Sequence, residues 1–158
     1  MGRAYVGLGS NLGDRGATLV RAVELLDGRP DIEVVATSSF LETDPVGYLE
    51  QPQFLNAAVA VETSLRPTEL LATLLDIERE LGRTREGPRY GPRTIDLDLL
   101  LVDGVTIDEP GLTLPHPRLH ERAFALTPLA EIDPAIIVPG HGTVRELLDA
   151  LQPLESSP

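Results

Sequence analysis

Between Gly82 and Leu101 the chain sets four arginines, Arg83, Arg85, Arg89 and Arg93, in a segment broken by glycine and proline, and follows them at once with Asp96 and Asp98. The apolar residues Ile95, Leu97, Leu99 and Leu101 alternate around the two aspartates, the pattern of a strand with one buried face. Asp96 and Asp98 then share the opposite face, about 7 Å apart at their Cα atoms. At an effective dielectric near 20 two such charges repel by about 2 kcal/mol, and by only a few tenths when freely solvated. The pair is therefore either a solvated strand face or a cation site. Magnesium suits the second case, because it takes one or two protein carboxylates and fills its other positions with water and phosphate oxygens. Arginines beside such a pair are what phosphoryl transfer needs, where catalysis is mostly positioning and neutralisation of charge. An Asp-x-Asp alone reads as a solvated face. The arginine segment next to it turns the reading toward metal-bound polyphosphate.

The charge of the whole chain sharpens this. Formal net charge is −12, while Arg83 to Arg93 holds four arginines against Glu86, a net +3, so the rest of the chain carries −15. A strongly acidic body argues against nucleic-acid binding, and a local basic patch suits a small anion. All 13 basic residues are arginine. Without lysine there is neither a Walker A loop nor a lysine Schiff base. Without cysteine there are no disulfides, thiolate metal sites or cysteine nucleophiles. The 158 residues, 42% hydrophobic, predict a single domain over 1–158 with an ordinary core. Neither a signal peptide nor an apolar run of bilayer length is present in the sequence, which predicts a soluble cytoplasmic protein with no membrane partner.

Elements that could position these residues follow from periodicity. Tyr5 to Leu8 reads as a strand, and Leu19, Val20, Val23 and Leu26 as a helical stripe. Ile32 to Phe40 and Gln53 to Glu62 read as strands, with Leu41 to Pro52 a long irregular loop between them. Pro67 opens a helix with a Leu70, Leu74, Ile77, Leu81 stripe and Gly82 as its C-terminal cap. The aspartate strand follows, with Asp103-Gly104 as a tight hairpin turn. The order predicts an α+β fold with a ferredoxin-like βαββαβ core, both helices on one face of an antiparallel sheet and the other face free for a site. C-terminal additions, a helical stretch from Leu119 to Glu131, a strand at Ile136 to Val138 and a helix from Val144, would wrap the sheet edge and one end of the site.

Phe54 and Asn56 fall on the strand face opposite Leu55 and Ala57, beside the aspartates. A ring and an amide side by side suit a planar heterocycle, although a core aromatic with a turn-facing amide is the plainer alternative. Gly7 to Gly13 lies between strand and helix, but its third glycine is one residue late for G-x-G-x-x-G. It reads as a turn, capped by Asn11 or Asp14. His116, between two prolines, could be a neutral hydrogen-bonder near a phosphate or base, whereas His120 and His141 read as surface or loop residues. Glu78 reads as lying in the last turn of its helix, where the dipole disfavours a negative charge, a weak sign of ligand contact.

Arg89-Tyr90-Gly91-Pro92-Arg93-Thr94-Ile95-Asp96-Leu97-Asp98-Leu99-Leu100 resembles the signature of the 6-hydroxymethyl-7,8-dihydropterin pyrophosphokinase family of folate biosynthesis. Further similar segments occur in the family's order: Gly9 to Gly13, Ser38 to Phe40, Thr43 with Pro45 to Gly47, Gln51 to Val59, and His116 to Phe124. Coverage runs from about Ala4 to Val138. The resemblance implies a ferredoxin-like fold and transfer of the β,γ-diphosphate of ATP to the pterin hydroxymethyl oxygen, with release of AMP. It implies that Asp96 and Asp98 hold two Mg2+ ions and that Arg83 and Arg93 stabilise the moving diphosphate. Phe54 and Phe124 would sandwich the pterin, Asn56 and the backbone around Thr43 and Val46 would read its polar edge, and Tyr90 would close over it. Glu78, Arg85, Leu99, Thr113, His116 and Arg122 would line the ATP site. The chain departs from the pattern at Asp44, Gly111 and Pro117. Association with other folate-pathway enzymes is compatible with the resemblance. A phosphohydrolase or nucleotidyltransferase would use the same carboxylates without needing Phe54, Asn56 and Phe124 together; a ligand-sensing module would need neither aspartate.

Overall fold

A computed structural model describes residues 2–10, 15–43, 54–83 and 95–156; within these, Arg15, Thr43, Phe54, Gly82, Arg83 and residues 152–156 are described by their backbone. In chain order the elements are β1 (Gly2–Ser10), α1 (Arg15–Asp27), β2 (Ile32–Thr37), β3 (Leu41–Thr43), β4 (Phe54–Thr63), α2 (Pro67–Arg83), β5 (Asp96–Val102), β6 (Ile107–Glu109) and β7 (Leu112–Leu114). A 3-10 turn at Leu119–Glu121, α3 (Ala123–Ile132), β8 (Ile137–Val138), β9 (Gly142–Thr143) and α4 (Val144–Ser156) follow. The main sheet runs β2-β4-β1-β5, with β3 pairing β4 beyond the end of β2. Every pairing in it is antiparallel. Among the described residues no helix is long and apolar enough to cross a membrane.

Strand parity sorts the apolar residues between two cores. On one side Ala4, Val6, Leu8, Ala57, Val59, Val61, Leu97 and Leu99 meet Leu19, Ala22 and Leu26 of α1 and Leu70, Leu74, Ile77 and Leu81 of α2. On the other side Tyr5, Ala58, Ala60, Leu100 and Leu101 meet Leu126 and Leu129 of α3 and Val144 and Leu148 of α4. Small side chains at 58 and 60 let α3 lie close against β4. Helix starts are set locally. Pro67 occupies the first position of α2, and the Arg66 N–H donates to Glu69 Oε1 at 2.8 Å. Before α4, Thr143 and Glu146 form a reciprocal capping box, each backbone N–H donating to the other's side chain at 2.9 and 3.1 Å.

Several sequence expectations are corrected. Leu101 does not continue the alternation of Ile95, Leu97 and Leu99. A bulge, with Tyr5 opposite Leu101 and Val6 opposite Leu99, leaves Leu100 over and turns both Leu100 and Leu101 to the second core. Val20 is 47% exposed, its place on the α1 stripe being taken by Ala22. Leu41 to Thr43 is strand rather than loop, because β4 is long enough to pair with both β2 and β3. Helix α2 continues through Gly82 to Arg83, so Gly82 is not its cap. Asp103-Gly104 is a turn, with Gly104 at φ 70° and the Val105 N–H donating to Val102 O at 3.0 Å, but β6 pairs with β7 and makes no hairpin with β5. The second sheet face is free only in part, since α3 and α4 cover its other half.

Candidate active site

The part of that second face beyond α3 and α4 is built by register. Thr43 lies opposite Phe54. In the next row Leu41, Asn56, Gly9 and Asp96 lie side by side across β3, β4, β1 and β5. In the third row stand Ala58, Gly7 and Asp98. Directly paired residues share a face, so the amide and both carboxylates point the same way, with only glycines between them on β1. Asn56 and Asp96 are then about 10 Å apart, two strand spacings. Gly9 leaves room here: a Cβ on it would stand 3.0 Å from Asn56 Oδ1, a tight contact that would push the amide back by a few tenths of an ångström. Asn56 itself is buried, Asp96 partly buried and Asp98 exposed.

Beside this face, along the edge of β5 away from β1, runs a cleft of about 500 Å³. Asp96, Asp98 and Leu99 line it from β5, Glu78 from α2, Gly111 and Thr113 from the β6–β7 hairpin, and His116 from the segment after it. Leu71 and Leu75 of α2 complete the wall. The sequence reading missed these two; their signal was a second i, i+4 leucine pair off the core stripe of the helix.

Glu78 reaches across to β5, where its Oε2 accepts the Leu97 N–H at 2.7 Å. It thereby ties down the strand between the two aspartates. It is not in the last turn of α2, which extends five residues further to Arg83, so the helix-dipole argument for it fails. His116 is held by the bulge: its N–H donates to Leu100 O at 2.7 Å. Burial first, then the positive charge of Arg122, lower its pKa; Asp98 opposes this, and Arg118 adds a smaller lowering effect. The lowered pKa favours the neutral ring. The Arg118 N–H donates to His116 Nδ1 at 3.3 Å, which assigns the ring proton to Nε2.

Phe124 stands at the start of α3, 36% exposed, with the Arg122 guanidinium over its ring, 5.5 Å from the centroid. His120 is partly buried and His141 exposed, and their rings stack with centroids 4.2 Å apart. Arg83 is placed at the end of α2, Phe54 at the start of β4 and Thr43 at the end of β3. Val46, Arg85, Tyr90 and Arg93 lie outside the described residues, as do Asn11 and Asp14. Of the two loops that the resemblance implies would close over the substrates, Asp44 to Gln51 lies wholly outside them and Gly82 to Pro92 lies outside them except for Gly82 and Arg83, which end α2. Among the described residues no three histidines or carboxylates gather as a ready-made metal cage.

Residues 5–134 match the 7,8-dihydro-6-hydroxymethylpterin-pyrophosphokinase (HPPK) family. The chain belongs to this family. HPPK relatives described as 2-amino-4-hydroxy-6-hydroxymethyldihydropteridine pyrophosphokinase include one from Methylorubrum extorquens, 52% identical over 153 residues, 97% of this chain and 96% of the relative. Another, from Bacillus subtilis, is 56% identical over 129 residues, 82% of this chain and 77% of the relative. The folic acid synthesis protein fol1 of Schizosaccharomyces pombe is 38% identical across 94% of this chain, which spans 20% of that protein. Among solved structures, a Plasmodium falciparum HPPK-DHPS superposes with a TM-score of 0.77 at 16% identity over 98% of this chain and 46% of that one. At that identity the likeness concerns the HPPK fold, and the chain spans under half of the fused protein.

Proposed function

We infer that this chain is an ATP-dependent pyrophosphokinase of folate synthesis, transferring the β,γ-diphosphate of ATP to the hydroxymethyl group of 6-hydroxymethyl-7,8-dihydropterin. The hydroxymethyl oxygen attacks the β-phosphorus, the bond from that phosphorus to the α,β-bridging oxygen breaks, and AMP leaves with the bridging oxygen. The observation that carries the site assignment is the shared row of Asn56, Gly9 and Asp96 with Asp98 one row on. It sets an amide suited to a heterocycle about 10 Å from a carboxylate pair suited to a metal-bound polyphosphate.

The donor set fits magnesium. Two carboxylates and no protein cage is the usual arrangement where substrate phosphates and water complete the shell, so Asp96 and Asp98 are assigned to hold two Mg2+ ions. When bound, these ions supply charge neutralisation along the triphosphate. Arg83 and Arg93 add to it at the moving diphosphate, and Arg85 and Arg122 at the remaining phosphates. The Nε2–H of His116 is a donor, suited to a phosphate oxygen and unsuited to acting as a base. The apolar wall of Leu71, Leu75 and Leu99, with Thr113, fits the nucleoside, while Glu78 acts by holding β5. On the sheet face Phe54 and Phe124 sandwich the pterin, Asn56 with the Thr43 and Val46 backbone reads its edge, and Tyr90 closes over it. Loop closure would exclude water and limit ATP hydrolysis.

The core order and the β2-β4-β1-β5 arrangement support a ferredoxin-like core with additions after β5, and we assign 1–158 to one domain. Soluble substrates favour the cytoplasm. The multifunctional relatives favour association with other folate enzymes. Incubation with Mg2+, ATP and 6-hydroxymethyl-7,8-dihydropterin should yield AMP and the pterin diphosphate only when the pterin is present. Release of ADP, or nucleotide hydrolysis independent of the pterin, would point to a phosphohydrolase instead.

A further inference from the structure

A carboxylate outside both substrate sites makes a two-pronged contact that the reaction itself does not use. Glu131, in the last turn of α3, accepts the Ser39 N–H at Oε1 (2.6 Å) and the Ser39 hydroxyl at Oε2 (2.8 Å), across 92 residues of sequence. Ser39 sits at the corner between β2 and β3. Its neighbour Ser38 is stitched to β4, donating its N–H to Ala58 O at 2.9 Å and accepting the Ala58 N–H at Oγ, also 2.9 Å. Two residues back along β4 from Ala58 is Asn56, and from the same corner β3 runs past it, with Leu41 opposite Asn56 and Thr43 opposite Phe54.

The other end of the contact leads to Phe124. Seven residues separate Phe124 from Glu131 on α3, close to two full turns, so both project from the same side of the helix. One end of that side carries Phe124, with the Arg122 guanidinium over its ring, and the other end is fastened to the corner from which β3 starts. We propose that Glu131 is a positioning residue for pterin binding, clamping Ser39 so that the helix carrying Phe124 and the strands carrying Thr43, Phe54 and Asn56 keep one spacing. The proposal rests on the assignment of those four residues to the pterin.

The chemistry suits a clamp. Both Ser39 donors meet an ionised acceptor, and charge-assisted bonds are about twice as strong as neutral ones. Those bonds, backbone first, hold the Glu131 carboxyl below its usual range, so it stays charged through any ordinary working pH. Because Glu131 and Ser39 are exposed, releasing them to water should cost the fold little. A change in spacing at a stacked site should cost binding much more.

The test compares Glu131→Ala, Glu131→Gln and Ser39→Ala with the wild type, measuring AMP formation against pterin at saturating ATP and against ATP at saturating pterin. Glu131→Ala is expected to raise the pterin KM about tenfold, with the ATP KM changed by less than about twofold and Tm by less than about 2 °C. Glu131→Gln, which keeps the shape but accepts at only one atom, should fall between. Ser39→Ala should have a smaller effect and add nothing to Glu131→Ala, since both remove the same contact. Proportional changes in both KM values, an unchanged pterin KM in both Glu131 variants, or full additivity with Ser39→Ala would overturn the proposal. A wild-type chain that makes no pterin-dependent AMP would overturn the activity on which it rests, a result separate from those.

Discussion

Asp98 is exposed at the edge of the sheet while its neighbours Leu97 and Leu99 are buried. Its removal should therefore touch chemistry and spare the fold. Asp98→Ala is expected to abolish AMP formation while the unfolding midpoint moves by no more than about 0.5 kcal/mol in stability; near-normal turnover would remove it from the metal site. Arg93→Ala should cost several orders of magnitude in kcat, as loss of a charge-stabilising arginine does in phosphoryl transfer. Phe124→Ala should weaken pterin binding far more than ATP binding, and equal losses measured by titration calorimetry would count against the sandwich. Strand parity alone made the faces of Asp96, Asp98 and Asn56 legible, whereas the roles given to Arg93 and Phe124 came only from the resemblance. Gly9 was legible only as a turn residue. Its second role, leaving room for the Asn56 amide, depends on a partner strand that the local sequence does not name.

At the scale of elements, β5 is paired with β1, is tied to α2 through Glu78, and in turn holds His116 through its bulge. Glu78→Ala would leave the buried Leu97 N–H without that acceptor, at a cost of about 1–3 kcal/mol, readable by urea denaturation. The same variant should weaken Mg2+-dependent ATP binding, because the strand between the aspartates loses its tether. The Glu131 clamp carries a pH prediction whose sign follows from its lowered pKa. A carboxyl lowered in the folded state contributes fully above its unfolded value, about 4.3, and loses that contribution only as pH falls through the lower folded value. The pterin KM should therefore show no inflection from Glu131 between about pH 8 and pH 5; an inflection there that Glu131→Gln removes would show a carboxyl titrating higher than its contacts allow. Helix α2 and the aspartate strand were readable from periodicity. The bulge was not, since Leu99, Leu100 and Leu101 are equally apolar and either face could accept them.

For the molecule as a whole, the sheet separates two cores, and one domain requires that both melt together. Leu74 lies in the core beneath α1 and α2, Leu126 in the core beneath α3 and α4, and each is 0% exposed. Leu74→Ala and Leu126→Ala should each cost about 2–5 kcal/mol and shift one shared transition with an unchanged slope in denaturant; a transition split in two by Leu126→Ala would mean that the second layer unfolds on its own. The sequence by itself determined the acidic body with its arginine segment, the order of the core elements, the parity of the aspartate strand and the resemblance that points to pterin pyrophosphorylation, because each depends on residue type and short-range spacing. Tertiary structure alone decided that α3 and α4 cover half of the second sheet face, that the bulge turns Leu100 and Leu101 toward them, and that Glu131 reaches Ser39. Those outcomes depend on which surfaces meet across long stretches of chain, and local periodicity carries no information about its distant partners.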